Sequence, residues 1–290
     1  MIKKVVVAGL MLVSPFLRAE RQFFAGIDDS SWVMTQDTPL ECRLEHPVPG
    51  YGTGVFSSHA SKKINLDFEL QMFRPMAETR QATLLSLPPR WMPGTNAGTI
   101  NTLKLFKQFD GYVNGQDAWR MLTELERGRL PTLSYRDWYY NNERVQVSLS
   151  PAHFKGPYKK YLACVQRLLP YSFDDIAYTV LHYQANSEKL TFDSQKKLDQ
   201  IAQYIRHIKD VELVLVAAHS DDREVASNSE ELARKRAENM QHYFVKQGLK
   251  PEQIQLQVHG DQRPVADNRS ALNRGLNRRL IISLSRSSDM

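Results

Sequence analysis

The spacing of the apolar residues changes near Pro170, and this change limits the chain to a fold in two parts. Before it, apolar and polar residues alternate over 64–72 and over 145–149, which is the period of half-buried β-strands. After it, apolar residues recur every three or four positions over 194–208 and 230–247, which is the period of amphipathic helices. The sequence therefore predicts a mostly-β N-terminal domain, barrel-like or sandwich-like, followed by a C-terminal α+β domain.

The N-terminal region, residues 20–168, predicts a β-domain that contains one helix. The helix is expected at Gln116–Arg127, where three apolar residues share a face and Gly128 can end it. The region has no Gly-x-Ser-x-Gly, no His-Glu-x-x-His and no paired metal-ligand spacing, so we predict neither an enzyme nor a cofactor or metal site. We expect its histidines on the surface and its later tryptophans mainly in the core: His46, His59 and His153; Trp91, Trp119 and Trp138.

The C-terminal region, residues 169–290, predicts the order β-α-β-α-β-β, with helices on one face of a mixed sheet. Asp193 or Ser194 can cap the first helix, and Gly248 is suited to the end of the second. The predicted strands lie at residues 176–182, 211–217, 253–259 and 280–284, and the predicted helices at 194–208 and 230–247.

The first 19 residues have the layout of a secretory signal peptide. Lys3 and Lys4 precede an apolar run at residues 5–13, and Ala19 provides a small residue for cleavage. The alternative is a buried N-terminal strand. Removing residues 1–19 takes away three cations and no acid, which lowers the formal charge from +6 to +3 and argues against nucleic acid as a partner. No stretch reaches the roughly 20 apolar residues of a membrane span, so none is expected in the mature chain.

Cys42 and Cys164 are the only two cysteines. In the oxidising compartment that a signal peptide implies, two cysteines most simply form one disulfide. Both lie in segments that resemble strands, so the bridge is expected to join the first strands of a domain to its last. The alternative is a pair of buried free thiols. The predicted domains are therefore a signal peptide at 1–19, a β-rich partner domain at 20–168 and a second domain at 169–290.

A group of short motifs lies in the C-terminal region. His219-Ser220-Asp221 ends the second predicted strand, Arg236 follows on the next helix, and Asn268 precedes a late Asn-Arg-Arg at 277–279. Together these resemble the OmpA-like family of peptidoglycan-binding domains. The resemblance implies that Asp221 and Arg236 hold the diaminopimelate residue of the cell-wall stem peptide. It also implies a supporting loop set: His219, Ser220, Asn228, Asn268, Asn277 and Arg278.

The chemistry of the ligand explains why this pair is suitable. A free diaminopimelate end carries an ammonium and a carboxylate on one carbon. Asp221 can accept hydrogen bonds from the ammonium, and the planar guanidinium of Arg236 can hold the carboxylate with two parallel bonds. The alternative is a plain Asp221–Arg236 salt bridge between a strand and a helix. Wall binding further requires that the two side chains lie together and are open to solvent.

The complete layout resembles the MotY family, the T-ring proteins of sodium-driven polar flagellar motors. The resemblance implies a periplasmic protein at the flagellar basal body. Its first domain would associate with the L/P ring and with MotX, and its second domain would fasten the ring and stator units of the PomA/PomB type to peptidoglycan. Two alternatives remain open: a general periplasmic cell-wall tether without a flagellar role, and a wall enzyme that carries a binding domain.

Overall fold

The computed structural model describes residues 20–89, 91–138, 143–208, 211–219 and 229–286. The predicted signal peptide lies outside these residues. The chain forms two compact units. The first contains Arg43–Ser57, Leu66–Lys160 and the described residues up to Thr35, and the second contains Gln36–Cys42, Ser58–Asn65 and the chain from Tyr161 onward. The predicted domain boundary between residues 168 and 169 stays a prediction.

The N-terminal half is mostly β-structure, as predicted. The elements, in chain order, are β1 Glu20–Phe23, β2 Val33–Asp37, β3 Glu41–Val48, β4 Gly52–His59, β5 Asp67–Met72, β6 Arg80–Leu87, β7 Gly98–Leu105, β8 Gly111–Asn114, α1 Gly115–Glu126, β9 Leu130–Arg136, β10 Arg144–Ser148 and α2 Lys155–Val165. The strands form two five-stranded sheets, with the orders β1-β10-β9-β6-β7 and β2-β3-β4-β5-β8. All described pairs in these sheets are antiparallel except β1 with β10.

Helix α1 confirms the predicted helix to within a residue at each end. Its buried residues Ala118, Met121, Leu122 and Leu125 follow the helical period and form one apolar face. Gly128 has a φ of +79°, a conformation that glycine adopts without steric cost, and it follows the helix directly after its C-cap.

The alternating strand at residues 64–72 begins three residues later than predicted. Leu66, Phe68 and Leu70 are buried as the alternation requires, but Ile64 is 78% exposed. The side chain of Asn65 accepts a hydrogen bond from the backbone N–H of His59 and donates one to its carbonyl. These two bonds close a loop, so β5 starts only at Asp67.

Cys42 and Cys164 form the predicted disulfide, with their Cα atoms 5.9 Å apart. The expectation that both lie in strands is wrong for Cys164, which lies in helix α2. Tyr158, Tyr161 and Cys164 are buried and recur every three residues, which places them on one helical face. The segment Tyr-Leu-Ala-Cys-Val, which resembles a strand, has only five residues, too few to show this helical period. The bridge therefore joins strand β3 to a helix.

His46 is also placed differently from the prediction, since it is fully buried. Its ring stacks on Trp32 with centroids 4.4 Å apart. Nδ1 donates to the carbonyl of Ser31, and Nε2 accepts from the N–H of Ser150. Both nitrogens of a neutral ring are therefore used, and burial lowers the pKa of His46 below its usual value.

The C-terminal half has the predicted α+β architecture. Its elements are α3 Phe173–Ala177, β11 Tyr178–His182, α4 Phe192–Ile205, β12 Val211–His219, α5 Ser229–Lys246, a 3-10 turn at Pro251–Gln253, β13 Ile254–Gly260, α6 Ala271–Asn277 and β14 Arg279–Arg286. The sheet order is β11-β14-β12-β13, and it is mixed because β12 is parallel to β13 and antiparallel to β14. Among the described residues, no helix has the length and apolar character needed to cross a bilayer.

Helix caps account for the differences between predicted and observed elements in this half. Thr191, rather than Asp193 or Ser194, caps α4 by accepting a bond from the N–H of Ser194. The first strand starts at Tyr178 because Asp175 accepts from the N–H of Ser172 and sets up the short helix α3. Helix α6 was also not predicted.

Gly52 supports a prediction about the packing of β4 against β5. A Cβ atom at this position would overlap the carbonyl oxygen of Gln71 on the paired strand. We expect Gly52→Ala to lower the free energy of unfolding by about 3 kcal/mol, because backbone has to move to relieve the overlap. Urea unfolding measures this effect. Gly98→Ala is the matched control, since no atom lies within 4 Å of its new methyl group, and equal stability of the two variants would contradict the prediction.

Candidate functional site

Arg236 is the best-defined residue of the candidate site. It lies in α5 and is fully buried, and Ala233 and Ala237 beside it are also fully buried. The small alanine side chains let the helix approach its neighbours closely. A charged side chain is seldom fully buried unless other groups satisfy it. The partners of Arg236 therefore define the site.

Backbone carbonyls from the β11–α4 loop and from the end of β12 hold the guanidinium. Nε and Nη2 donate to the carbonyl of Ser187, at 3.2 and 2.7 Å, and Nη1 lies 3.4 Å from the carbonyl of His219. The guanidinium carbon also lies 4.4 Å from the ring centroid of Tyr183, within the range of a cation–π contact. Arg236 is thus fixed in position and enclosed, whereas wall binding requires it to be open.

The loop between β11 and α4 contributes to the site, and the sequence analysis missed it. This loop supplies the carbonyl of Ser187, and Glu188 accepts a hydrogen bond from Asn239 of α5 at 2.7 Å. Asn186 has a φ of +48° and turns the chain. The sequence offers one weak signal, an Ala-Asn-Ser run at residues 185–187 that begins three residues after the end of β11.

His219 lies at the end of β12 and is 3% exposed. Its ring stacks on that of His259 at 4.8 Å, and Nδ1 lies 3.4 Å from the carbonyl of Gln262. Burial, followed by the nearby charge of Arg279, lowers the pKa of His219 to about 4. The ring is therefore neutral at pH 7.

This lowered pKa predicts a pH-dependent loss of stability. An unfolded histidine titrates near pH 6.5, so below that pH the unfolded chain binds a proton that native His219 resists. The stabilisation is complete above about pH 6.5, falls as the pH drops towards 4, and is constant below that. We expect a loss of about 2–3 kcal/mol from this residue. Urea unfolding at both pH values should show a smaller decrease for His219→Gln, and an identical pH dependence would contradict the assignment.

The three late residues of the predicted loop set have structural contacts. Asn277 is 1% exposed, and its side chain accepts from the N–H groups of Val265 and Ala266. It also donates to the carbonyl of Ala266 and to the side chain of Asn268. The carbonyl of Arg278 accepts from the N–H of Tyr183, the residue whose ring lies against Arg236. Arg278 thus connects to the site through its backbone.

Asp221, Ser220 and Asn228 lie outside the described residues. The described parts of the site contribute the fixed guanidinium of Arg236, the neutral imidazole of His219 and the backbone carbonyls that hold them. Across the described residues, no group of three or more histidine, cysteine or acidic side chains could hold a metal ion. A buried guanidinium of this kind can bind a carboxylate with directional bonds when one reaches it.

The mixed sheet and the buried arginine define a domain of the OmpA class, and the OmpA family model matches residues 182–278. The model of the MotY N-terminal domain matches residues 23–170. The sodium-type flagellar protein MotY of Vibrio parahaemolyticus is 48% identical over 281 residues, which cover 97% of this chain and 96% of that protein. The chain therefore belongs to the MotY family.

Two further similarities involve only the C-terminal half. The peptidoglycan-associated lipoprotein of Pseudomonas aeruginosa is 30% identical over 108 residues, 36% of this chain and 61% of that protein. The C-terminal domain of Helicobacter pylori MotB is 26% identical with a TM-score of 0.34, covering 38% of this chain and 87% of that chain. At this TM-score the structural match carries no conclusion about function.

Proposed function

We propose that this flagellar motor protein is a structural component of the periplasmic T ring and that its OmpA-like domain anchors the ring and the stator units to peptidoglycan. The observation that carries the proposal is the extent of the similarity, since a sodium-type flagellar protein matches along nearly the whole chain. Mechanical reasoning supports it as well, because a torque-generating unit needs a fixed body to push against. The covalent cell wall is the rigid body of the periplasm.

The wall contact is proposed at Arg236 together with Asp221. The guanidinium holds the carboxylate of the free diaminopimelate end, and Asp221 accepts from its ammonium. Each charge-assisted bond contributes about 1.5–3 kcal/mol when water is excluded. The fixed position of Arg236 favours binding because little side-chain freedom is lost.

Because Arg236 is enclosed, binding of the ligand requires a rearrangement of the site. The carbonyl of Ser187 occupies Nε and Nη2, a pair of donors that can hold a carboxylate with two parallel bonds. We infer that the ligand carboxylate replaces this carbonyl and that the β11–α4 loop moves to allow it. A carboxylate is the stronger acceptor because it carries a full charge.

The N-terminal unit is proposed to contact the rest of the motor: MotX, the L/P ring of the basal body and stator complexes of the PomA/PomB type. The protein is then periplasmic and non-enzymatic. The alternative function, a general cell-wall tether, shares the C-terminal chemistry and differs only in the partners of the N-terminal unit.

A deletion strain separates these two functions. Loss of the motor role should leave cells with assembled filaments that do not swim, and basal bodies imaged from them should lack a periplasmic ring. Leaky envelopes with normal swimming would contradict the flagellar assignment and favour the tether.

Co-sedimentation of the mature protein with purified sacculi tests the wall contact. We expect Asp221→Asn to abolish co-sedimentation while the thermal transition is retained. Asp193→Asn, in the exposed first turn of α4, is the control and should bind like the wild type. Undiminished binding by Asp221→Asn would refute the assignment.

A further inference from the structure

The N-terminal unit contains a large cleft that the proposed wall contact does not use. Its volume is 810 Å³, within the range of roughly 300–1,000 Å³ typical of ligand sites. All of its lining residues belong to the first unit. Aromatic rings form much of the wall: Phe23, Tyr51, Phe73, Tyr135 and Trp138.

The rings are arranged in two neighbouring groups joined at the floor of the cleft. Phe23 and Tyr51 have centroids 5.2 Å apart, and Tyr135 and Trp138 are stacked at 6.4 Å with an angle of 15° between their planes. The hydroxyls of Tyr51 and Tyr135 are hydrogen-bonded to each other at 3.0 Å. Tyr135 is 6% exposed, whereas Phe73 at the rim is 73% exposed.

Polar groups meet the aromatic wall at one side. Arg21 pairs with Asp137, and Nε of Arg21 lies 3.6 Å from a carboxylate oxygen of Glu143. The side chain of Asp137 is 6% exposed and that of Arg21 is 35% exposed. Arg74 also lines the cleft. An ion pair therefore lies next to aromatic rings.

This combination discriminates between kinds of ligand. A proline-rich peptide would bind aromatic ridges, but it offers few donors to an ion pair from which it excludes water, and that desolvation is costly. A sugar ring offers both an apolar face for the aromatic rings and polar groups for the ion pair. Its C–H face packs on the negative face of an aromatic ring, and its hydroxyl and acetamido groups can donate to Asp137 and accept from Arg21.

We propose that this cleft binds an N-acetylhexosamine oligosaccharide, the chemical class of the glycan strands of the cell wall. The chain would then contact the wall at two chemically different places, the stem peptide in the C-terminal unit and the glycan in the N-terminal unit. The inference extends the proposed function, but the cleft and the peptide site can be tested separately because their ligands share no groups.

The test is a calorimetric titration of the full mature protein with the tetramer of N-acetylglucosamine, which carries no peptide. We expect saturable binding at millimolar or lower concentration. Trp138→Ala should weaken it at least about tenfold. Phe73→Ala, at an exposed rim position that the fold tolerates, should weaken it measurably.

Two controls make the outcome decisive. Trp91→Ala removes a 58% exposed tryptophan beyond the end of β6 and should leave binding unchanged. Tyr135 of the cleft pairs with Ala82, and the strand from there to Leu87 spans about 17 Å. Asp221→Asn should also leave it unchanged, even where sacculus binding is lost. The proposal is overturned if the folded wild type does not bind the tetramer, or if binding is unaltered in both Trp138→Ala and Phe73→Ala. Tighter binding of a proline-rich peptide at the same residues would also overturn it.

Discussion

Replacing both cysteines by alanine is expected to lower the free energy of unfolding by about 4–5 kcal/mol. Cys42 and Cys164 are separated by 122 residues, and the chain-entropy cost of closing a loop of that length in the unfolded state is of this size. Both residues are fully buried and belong to the second unit, where the bridge fastens the segment Gln36–Cys42 to α2. Urea unfolding of the oxidised protein and of the Cys42→Ala/Cys164→Ala variant measures the difference.

Chemical reduction provides the control for this prediction. A reductant should destabilise the wild type by a similar amount and should have no effect on the double variant, which contains no sulfur pair. If the wild type unfolds at the same urea concentration with and without reductant, the bridge contributes nothing and the prediction is wrong.

Replacing Arg236 by alanine is expected to lower the free energy of unfolding by about 3–5 kcal/mol. The change leaves a cavity beneath α5, and the carbonyls of Ser187 and of the buried His219 lose this donor. It also removes the cation from the face of Tyr183. Arg234→Ala is the matched control on the same helix.

Arg234 is 58% exposed and forms a surface pair with Glu230, so its loss should change stability by about 0.5 kcal/mol or less. Arg236→Lys retains the positive charge and most of the side-chain volume, so it should fold. It should still lose wall binding, because an ammonium cannot form two parallel bonds to a carboxylate. Near-equal stability of Arg236→Ala and Arg234→Ala would contradict the anchoring role of the buried guanidinium.

The fold was predictable where periodic patterns are long. Helix α5, 18 residues long, was predicted to within one residue at each end, because Ala233, Ala237, Met240 and Phe244 form a continuous buried face along most of its length. Helices α3 and α6 have five and seven residues, too few to show a period. Their starts depend on single capping side chains, Asp175 at α3 and Ser270 at α6, and many aspartates and serines do not cap helices.

The site was predictable only in part, for a different physical reason. The position of Arg236 follows from a motif, but its partners are backbone carbonyls at residues 187 and 219, and a carbonyl has no sequence signature. The cleft in the first unit was missed because β1, β9 and the turn between β3 and β4 bring Phe23, Tyr135 and Tyr51 together over more than 100 residues of sequence. The pairing of β1 with β10 and of β10 with β9 is what brings Phe23 near Tyr135, and no local sequence pattern indicates it.

The most direct test of the wall contact is a comparison of two stem peptides by calorimetric titration of the mature protein. One tripeptide ends in diaminopimelate, and the other has lysine at that position, which retains the ammonium but lacks the second carboxylate. We expect the diaminopimelate peptide to bind at least about tenfold more tightly, and Arg236→Lys to remove the difference. Equal affinity for the two peptides, or an unchanged preference in Arg236→Lys, would contradict the proposed role of the guanidinium.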